Sequence, residues 1–183
     1  SVDYALSLTS ETAGLYFGNV DTAAEIYWDA AGAAAGEMAA DAFSYNDGDV
    51  VLRGDVMVAG VSAAVSYFIY DEELVQLQLA GSATFGNFGV NFAYQEEEVD
   101  PGIGGDYSPN AVLGLSANTT FGGATVQVAY AQWTGIGAQD DLDSIGVQVS
   151  YPVGPVTLGA YYVMESSDNN AFGVSADYAS GPI

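Results

Sequence analysis

The sequence contains no cysteine and no histidine, and Arg53 is its single basic residue. The absence of cysteine excludes disulfide bonds and thiolate metal sites. Because histidine, cysteine and lysine supply most enzymatic nucleophiles and general bases, little catalytic chemistry is open to this chain. No apolar run approaches the roughly 18 residues that indicate a transmembrane helix. Membrane-spanning strands give a much weaker, alternating signal and are not excluded.

Acidic residues outnumber basic ones by 24 to one, which gives a net charge of −23 at pH 7. A nucleic-acid partner is not expected, since nothing in the chain could displace counterions from phosphates. Acidic chains are often disordered, but disorder requires low hydrophobicity and few aromatic residues. Half of this chain is hydrophobic and 13% is aromatic, so we expect it to fold.

Apolar and polar residues alternate along most of the chain, and this period of two indicates β-strands. In the stretch Val50–Val58, Leu52 and Val56 lie on one face while Arg53 and Asp55 lie on the other. The same pattern recurs along the chain and predicts about eleven strands and no helix. The predicted fold class is therefore all-β.

Tight uncharged turns alternate strictly with longer acidic loops between the predicted strands. Turns such as Ala59-Gly60 and Gly122-Gly123 are short, whereas residues 96–110 form a long loop with several carboxylates. Alternate connections of an up-and-down sheet lie at opposite ends, so one end should be tight and the other loop-rich and anionic. Outer-membrane barrels have this asymmetry, with short periplasmic turns and longer extracellular loops.

The longest connection, residues 18–48, is rich in alanine and glycine and contains no basic residue. Connections longer than about 15 residues usually have a function. Because this one follows a short joint at residues 10–14, its parity along the chain assigns it to the loop-rich end. We expect it to fold inward and to narrow a pore.

Two features favour a membrane-facing wall over a soluble sheet. The polar face carries mostly uncharged residues, whereas a soluble exterior normally mixes lysine and glutamate. Aromatic residues gather at strand ends, as in the interfacial girdles of membrane barrels. They are Phe85, Phe88, Tyr94, Phe121, Trp133, Tyr151, Tyr162 and Tyr178. The alternative is a soluble acidic β-sandwich, a calcium-loaded or salt-adapted binding module of a cell surface.

Residues 16–23, YFGNVDTA, resemble the strand that leads into the third loop of the sixteen-stranded general porins of Gram-negative outer membranes. The acidic segment that follows, through FSYN at residues 43–46, resembles their constriction loop. The turns after Phe85 and Phe121 resemble their periplasmic turns.

This resemblance implies an antiparallel up-and-down transmembrane β-barrel of about 16 strands with an inward-folded constriction loop, here residues 19–48. About eleven of those strands would lie in this chain, as one barrel domain over residues 1–183 that we expect to be incomplete at both ends. The implied protein is a homotrimer in the outer membrane, surrounded by its lipids. It would be a passive channel for small polar solutes and ions.

The resemblance also assigns candidate residues to the pore constriction. They are Asp21, Glu25, Asp29, Glu37 and Asp41 in the loop, with Arg53 and Asp55 on the wall. Such porins place arginine and lysine opposite the acidic loop, but this chain offers only Arg53, which we expect to pair with Asp55 or a loop carboxylate. A constriction of carboxylates favours cations.

No cofactor is expected, with one exception that the same loop leaves open. Loop carboxylates in such porins can hold Ca²⁺, an ion that prefers oxygen ligands. The candidate ligands are Asp29, Glu37 and Asp41.

An enzyme embedded in a barrel is the remaining alternative. Without histidine, only carboxylates such as Glu25 and Asp29 could act as its acid or base, and the sequence shows no nucleophile. We therefore predict a channel and no enzymatic activity.

Overall fold

The computed structural model describes residues 4–30, 42–43, 50–70, 73–97, 111–135 and 141–179. Within these ranges the chain forms eleven β-strands and one short helix, α1 (Ala23–Tyr27), between the second and third strands. The strands are β1 (Ala5–Thr9), β2 (Ala13–Gly18), β3 (Val50–Val58), β4 (Val61–Tyr70), β5 (Glu73–Phe85), β6 (Phe88–Glu97), β7 (Ala111–Phe121), β8 (Ala124–Thr134), β9 (Leu142–Val153), β10 (Val156–Glu165) and β11 (Asn170–Tyr178). In the described part of the chain, no helix has the length and apolar character needed to cross a membrane.

All eleven strands belong to one sheet, in the spatial order β1 to β11, and each pairs antiparallel with its neighbours in sequence. The predicted up-and-down topology is thus confirmed. A β-sandwich requires a second sheet packed face to face with the first. The strands of the described ranges form a single sheet, so the sandwich alternative is wrong.

Tight turns join the strands at one end of the sheet, which we call the turn end. Hairpin turns of two residues require positive φ at their central positions. The β3–β4 turn has φ values of 52° at Ala59 and 82° at Gly60, and the β7–β8 turn has 60° at Gly122 and 87° at Gly123. The opposite end, which we call the loop end, carries the connection between β2 and β3 that contains α1.

The apolar residues of the strands lie on one face of the sheet and are exposed, and we call this the outer face. Leu8 is 75% exposed and Val174 is 84% exposed, and large apolar side chains are exposed on every strand between them. A water-soluble protein rarely exposes so much contiguous apolar surface. The outward apolar band of a membrane barrel, by contrast, contacts lipid.

The opposite face, against which α1 packs, is the inner face, and the buried core lies between it and the loop. The core residues are Ala23, Ala24, Ala30, Ala42, Phe43, Ala64, Ala80, Ala93, Val112, Ala129 and Ala131. All but two of them are alanine. The chain therefore places its core on the polar side of the sheet, where a segment of its own backbone covers the wall.

The helix α1 is absent from the sequence-based prediction, which expects no helix. The signal that could have found it is the spacing of Thr22 and Glu25, since Thr followed three residues later by Glu is the pattern of a capping box. Five residues are too few for a period of 3.6 to show in the hydrophobic pattern. The helix lies within the long acidic connection, whose composition does not distinguish these five residues from the rest.

The predicted aromatic girdle also needs one correction. Phe85, Phe121 and Tyr178 are exposed on the outer face near the turn end, as expected. Trp133 instead lies on the inner face, opposite Val112 in the pairing of β7 with β8, and packs against the core. Its position at a strand end reflects packing under the loop.

Candidate pore constriction

The helix α1 begins with a complete capping box. The hydroxyl of Thr22 accepts a hydrogen bond from the backbone N–H of Glu25 at 3.3 Å. The Glu25 carboxylate accepts one from the backbone N–H of Thr22 at 2.5 Å. Each interaction satisfies a donor that the start of a helix leaves unpaired. A helix of one to two turns is unstable alone, so its position depends on the wall behind it.

Two polar side chains of the inner face accept the remaining N–H groups at the start of α1. The Ser66 hydroxyl on β4 accepts from the N–H of Ala23 at 2.9 Å, and Oε1 of Gln78 on β5 accepts from the N–H of Ala24 at 3.0 Å. Ser66 and Gln78 lie directly opposite each other in the β4–β5 pairing. The helix is therefore fastened to two adjacent strands through its backbone.

A short ladder of glutamines fixes the orientation of Gln78. Its Nε2 donates to Oε1 of Gln76 at 3.1 Å and to Oε1 of Gln95 at 3.0 Å. Both amide hydrogens and the carbonyl oxygen thus have partners, which a fully buried amide requires. Gln78 is 0% exposed. Its carbonyl is consequently held towards α1.

Small residues form a continuous row across the inner face beneath the loop. Successive cross-strand pairs connect Ala64, Ala80, Ala93, Gly114, Ala131 and Ser144, from β4 to β9. Small side chains allow another segment of chain to approach a sheet closely. The approach is close at Gly114, where an added Cβ would lie 2.5 Å from Cζ3 of Trp28. The row is the surface on which the loop rests.

Beyond α1, the loop is held by aromatic packing and by one further glutamine. The rings of Trp28 and Phe43 pack edge to face, with centroids 5.2 Å apart and an interplanar angle of 65°. Nε2 of Gln127 on β8 donates to the backbone carbonyl of Asp29 at 3.3 Å. The first part of the loop therefore crosses the inner face from β3 towards β8.

Arg53, on the inner face of β3, is 8% exposed. Its Nη1 donates to the backbone carbonyl of Asp21 at 2.5 Å, and its Cζ lies 4.2 Å from the ring centroid of Tyr16. Arg53 Nε and Asp55 Oδ1 are both buried and have no hydrogen-bond partner among the described residues. The expected ion pair of Arg53 with Asp55 is therefore wrong: a carbonyl and an aromatic ring hold the guanidinium instead.

The other candidate constriction residues differ in how far they reach solvent. Asp21 and Asp29, which flank α1, are exposed. Glu25 and Asp55 are half-buried, and Glu25 caps the helix. The structure thus brings these four carboxylates and Arg53 to the inner face or to the loop that covers it. Their role as pore-lining residues stays a prediction.

The remaining two candidates, Glu37 and Asp41, lie outside the described residues. Among the residues that are described, no three acidic side chains lie close enough to share a metal ion. Two of the three candidate calcium ligands are thus not placed, and the calcium site stays a prediction.

Sequence reasoning missed the residues that position the loop: Ser66, Gln78 and Gln127. Each is one polar residue among many on an alternating strand, and nothing local distinguishes it from its neighbours. The one available signal is the concentration of glutamine, at positions 76, 78 and 95, on a face otherwise made of smaller residues. Only the register of β4, β5 and β6 shows that these side chains meet.

Comparisons with known proteins agree with this architecture. A family model described as Gram-negative porin matches residues 4–183. The fold is similar to that of a triple mutant of Rh. blastica porin, with a TM-score of 0.75 at 19% identity over 95% of this chain. It is also similar to OmpT, an outer membrane protein of Vibrio cholerae solved in a trimer form, with a TM-score of 0.59 at 16% identity over 94% of this chain. No curated protein matches by sequence.

The chain spans only part of these solved structures. It covers 66% of the Rh. blastica porin chain, just under two thirds, and 62% of the OmpT chain. At such low identity the likeness establishes the fold, while the family match establishes the relationship.

Proposed function

Since this chain belongs to the Gram-negative porin family, we propose that the protein forms a water-filled channel for passive diffusion of small hydrophilic solutes and ions, with a preference for cations. The family places it in the outer membrane. Membership also favours a channel over an enzyme.

The sheet exposes its apolar face to the outside and carries its polar face on the inside, the reverse of a water-soluble protein, and this arrangement supports the channel. The outer face exposes apolar side chains along the strands, and the inner face carries glutamine, serine, threonine and asparagine. A bilayer requires the first arrangement and a water-filled interior requires the second.

The observation that carries the proposal is the docking of α1 on the inner face. Backbone hydrogen bonds to Ser66 and Gln78 fasten the loop to the polar side of the wall, the side that would face the lumen. A loop in that position reduces the open cross-section of a channel. It would therefore set the size limit for solutes.

Cation preference rests on which charges reach solvent at this loop. Asp21 and Asp29 are exposed on either side of α1, while the only basic side chain of the sequence, Arg53, is buried. Carboxylates at a constriction favour cations. With a net charge of −23, the remainder of the chain adds to the same preference.

The oligomeric state and calcium binding are further parts of the proposal. OmpT of Vibrio cholerae was solved in a trimer form, and a homotrimer is the corresponding expectation here. A Ca²⁺ ion at the loop, with Asp29, Glu37 and Asp41 as candidate ligands, would bridge carboxylates that otherwise repel one another.

The reversal potential of the full-length protein in a planar bilayer under a potassium chloride gradient tests the function. We expect the reversal potential to have the sign that a cation-selective channel gives. The double substitution Asp21→Asn and Asp29→Asn should move the potential towards zero. The matched control is Asp168→Asn, because Asp168 lies in the exposed β10–β11 turn with a φ of 65°, a conformation that asparagine also tolerates. Anion preference or the absence of conductance would refute the proposal.

A further inference from the structure

Four residues of β2 and β3 form a compact square on the inner face. Tyr16 lies opposite Arg53, and Gly14 lies opposite Asp55. Residues two apart on a strand share a face, so all four side-chain positions point to the same side. The square contains the only basic side chain of the sequence.

The guanidinium of Arg53 is covered from two directions. The Tyr16 ring lies over it, with 4.2 Å between Cζ and the ring centroid, and the Asp21 carbonyl accepts from Nη1. Although the chain has 24 acidic residues, none of the described carboxylates pairs with Arg53. The face of an aromatic ring carries partial negative charge and is attracted to a cation.

Tyr16 also lines a nearby cavity that Arg53 does not reach. A cavity of about 150 Å³ lies beside the square, and its lining includes Glu11, Tyr16, Tyr27 and Asp55 but not Arg53. Water that enters this cavity therefore meets the other three residues of the square, Gly14, Tyr16 and Asp55. The guanidinium, two residues away from Asp55, stays behind the ring.

Gly14 makes room for this arrangement. A Cβ at position 14 would lie 2.5 Å from Cε2 of Tyr16 and 2.6 Å from Oδ1 of Asp55. Any side chain there would push the tyrosine away from its present place. The Gly14 φ is not in the left-handed region, so space and not backbone conformation is what glycine provides.

We propose that Tyr16 determines ion selectivity by keeping the Arg53 guanidinium out of contact with the water of the lumen. This inference rests on the proposed channel function. An exposed guanidinium beside the loop would give anions a binding position in the pore. Behind the Tyr16 ring it stabilises the start of the loop, and the ions that pass meet carboxylates only.

The first test measures the accessibility of Arg53 and needs no conductance. The probe is phenylglyoxal, which modifies arginine, with the peptide that contains Arg53 quantified by mass spectrometry in the refolded full-length protein. Tyr16→Ala should increase the modification rate by roughly tenfold or more, because the ring no longer covers the guanidinium. Tyr16→Phe keeps the ring and should keep the slow rate.

Gly14→Ala is a second variant that retains the tyrosine but displaces it, and it should also increase the modification rate. Circular dichroism confirms that each variant has folded. Unchanged rates in both Tyr16→Ala and Gly14→Ala would overturn the proposed cover.

The second test measures the reversal potential of the same variants under a salt gradient. Tyr16→Ala should reduce the cation preference, and the double substitution Tyr16→Ala with Arg53→Gln should restore it. A faster modification rate with no change in potential would overturn the selectivity role, and so would a double variant that fails to restore it. Complete absence of conductance in the unsubstituted protein would refute the channel itself, while the modification rate would still decide whether Tyr16 covers Arg53.

Discussion

The two faces of β5 carry opposite chemistry and opposite burial. Gln78 and Leu79 are adjacent in sequence and point to opposite sides of the sheet, yet Gln78 is fully buried and Leu79 is 38% exposed. Water-soluble proteins show the reverse, because apolar burial drives their folding. In this sheet the inner face is covered by the chain's own loop, which has hydrogen-bond partners for buried amides. The outer face has no protein cover and requires an apolar solvent.

The largest loss in the free energy of unfolding should come from a charge placed on the outer face. Val147 lies near the middle of β9 on the outer face, and its neighbour Gln148 points inward. Val147→Arg should cost about 2–4 kcal/mol near the bilayer mid-plane. Gln148→Arg places the same charge on the inner face, which would face water in the proposed channel, and we expect a smaller loss there. Urea unfolding of the full-length protein in lipid vesicles measures both, and equal losses would contradict the assignment of the faces.

The next largest effect should come from removing a buried amide from the inner face. Gln78→Leu removes the hydrogen bonds of the Gln78 amide to the N–H of Ala24 and to Oε1 of Gln76 and Gln95, at a cost of about 1–3 kcal/mol. Because α1 also loses a fastening point, single-channel conductance should rise. Gln132→Leu is the matched control, since Gln132 lies on the outer face of β8. If Gln78→Leu and Gln132→Leu have the same stability and the same conductance, the ladder of glutamines does not hold the loop.

A methyl group added beneath the loop should destabilise the protein by less than the loss of the Gln78 amide does. Gly114→Ala forces the new Cβ against Trp28, and overpacking of this kind costs about 1–2 kcal/mol. The control is Gly54→Ala on the outer face, where the nearest atom to an added Cβ is a backbone oxygen 3.9 Å away. Urea unfolding compares the two variants. A Gly114→Ala protein as stable as the control would show that the loop does not rest on this row.

The smallest effect should follow from removing the helix cap. Thr22→Ala loses the hydroxyl that accepts from the N–H of Glu25, and such caps contribute about 1 kcal/mol. Thr22→Ser keeps the hydroxyl and should retain the protection of the Glu25 amide against hydrogen exchange. Hydrogen exchange at the Glu25 amide reports directly on this bond. Identical exchange in all three proteins would argue against the capping box.

The strands and their faces follow from the sequence because alternation is a local property. Leu52 and Arg53 must point to opposite sides of any strand that contains them, and the turn at Gly122-Gly123 is recognisable from two residues. The alternation of tight turns with acidic loops then predicts which end the long connection joins. These predictions need no knowledge of distant contacts.

Of the candidate site, only the charged residues could be predicted from the sequence. The sequence identifies Asp21 and Asp29 as loop carboxylates and Arg53 as the lone cation, and the structure brings all three to the same face. It does not identify Ser66 or Gln78 as the residues that hold the loop. Their selection depends on the distance between segments more than 40 residues apart.

By itself, the sequence determines an all-β sheet with an apolar face and a polar face, a strongly anionic character and an acidic loop at one end. The tertiary structure alone decides that this loop lies on the polar face, fastened at Ser66 and Gln78 over a row of small residues. It also decides that Arg53 is held by a carbonyl and the Tyr16 ring and makes no pair with Asp55. The physical reason is that alternation fixes the side to which a residue points, whereas the partner it meets depends on strand register and on the packing of a distant segment.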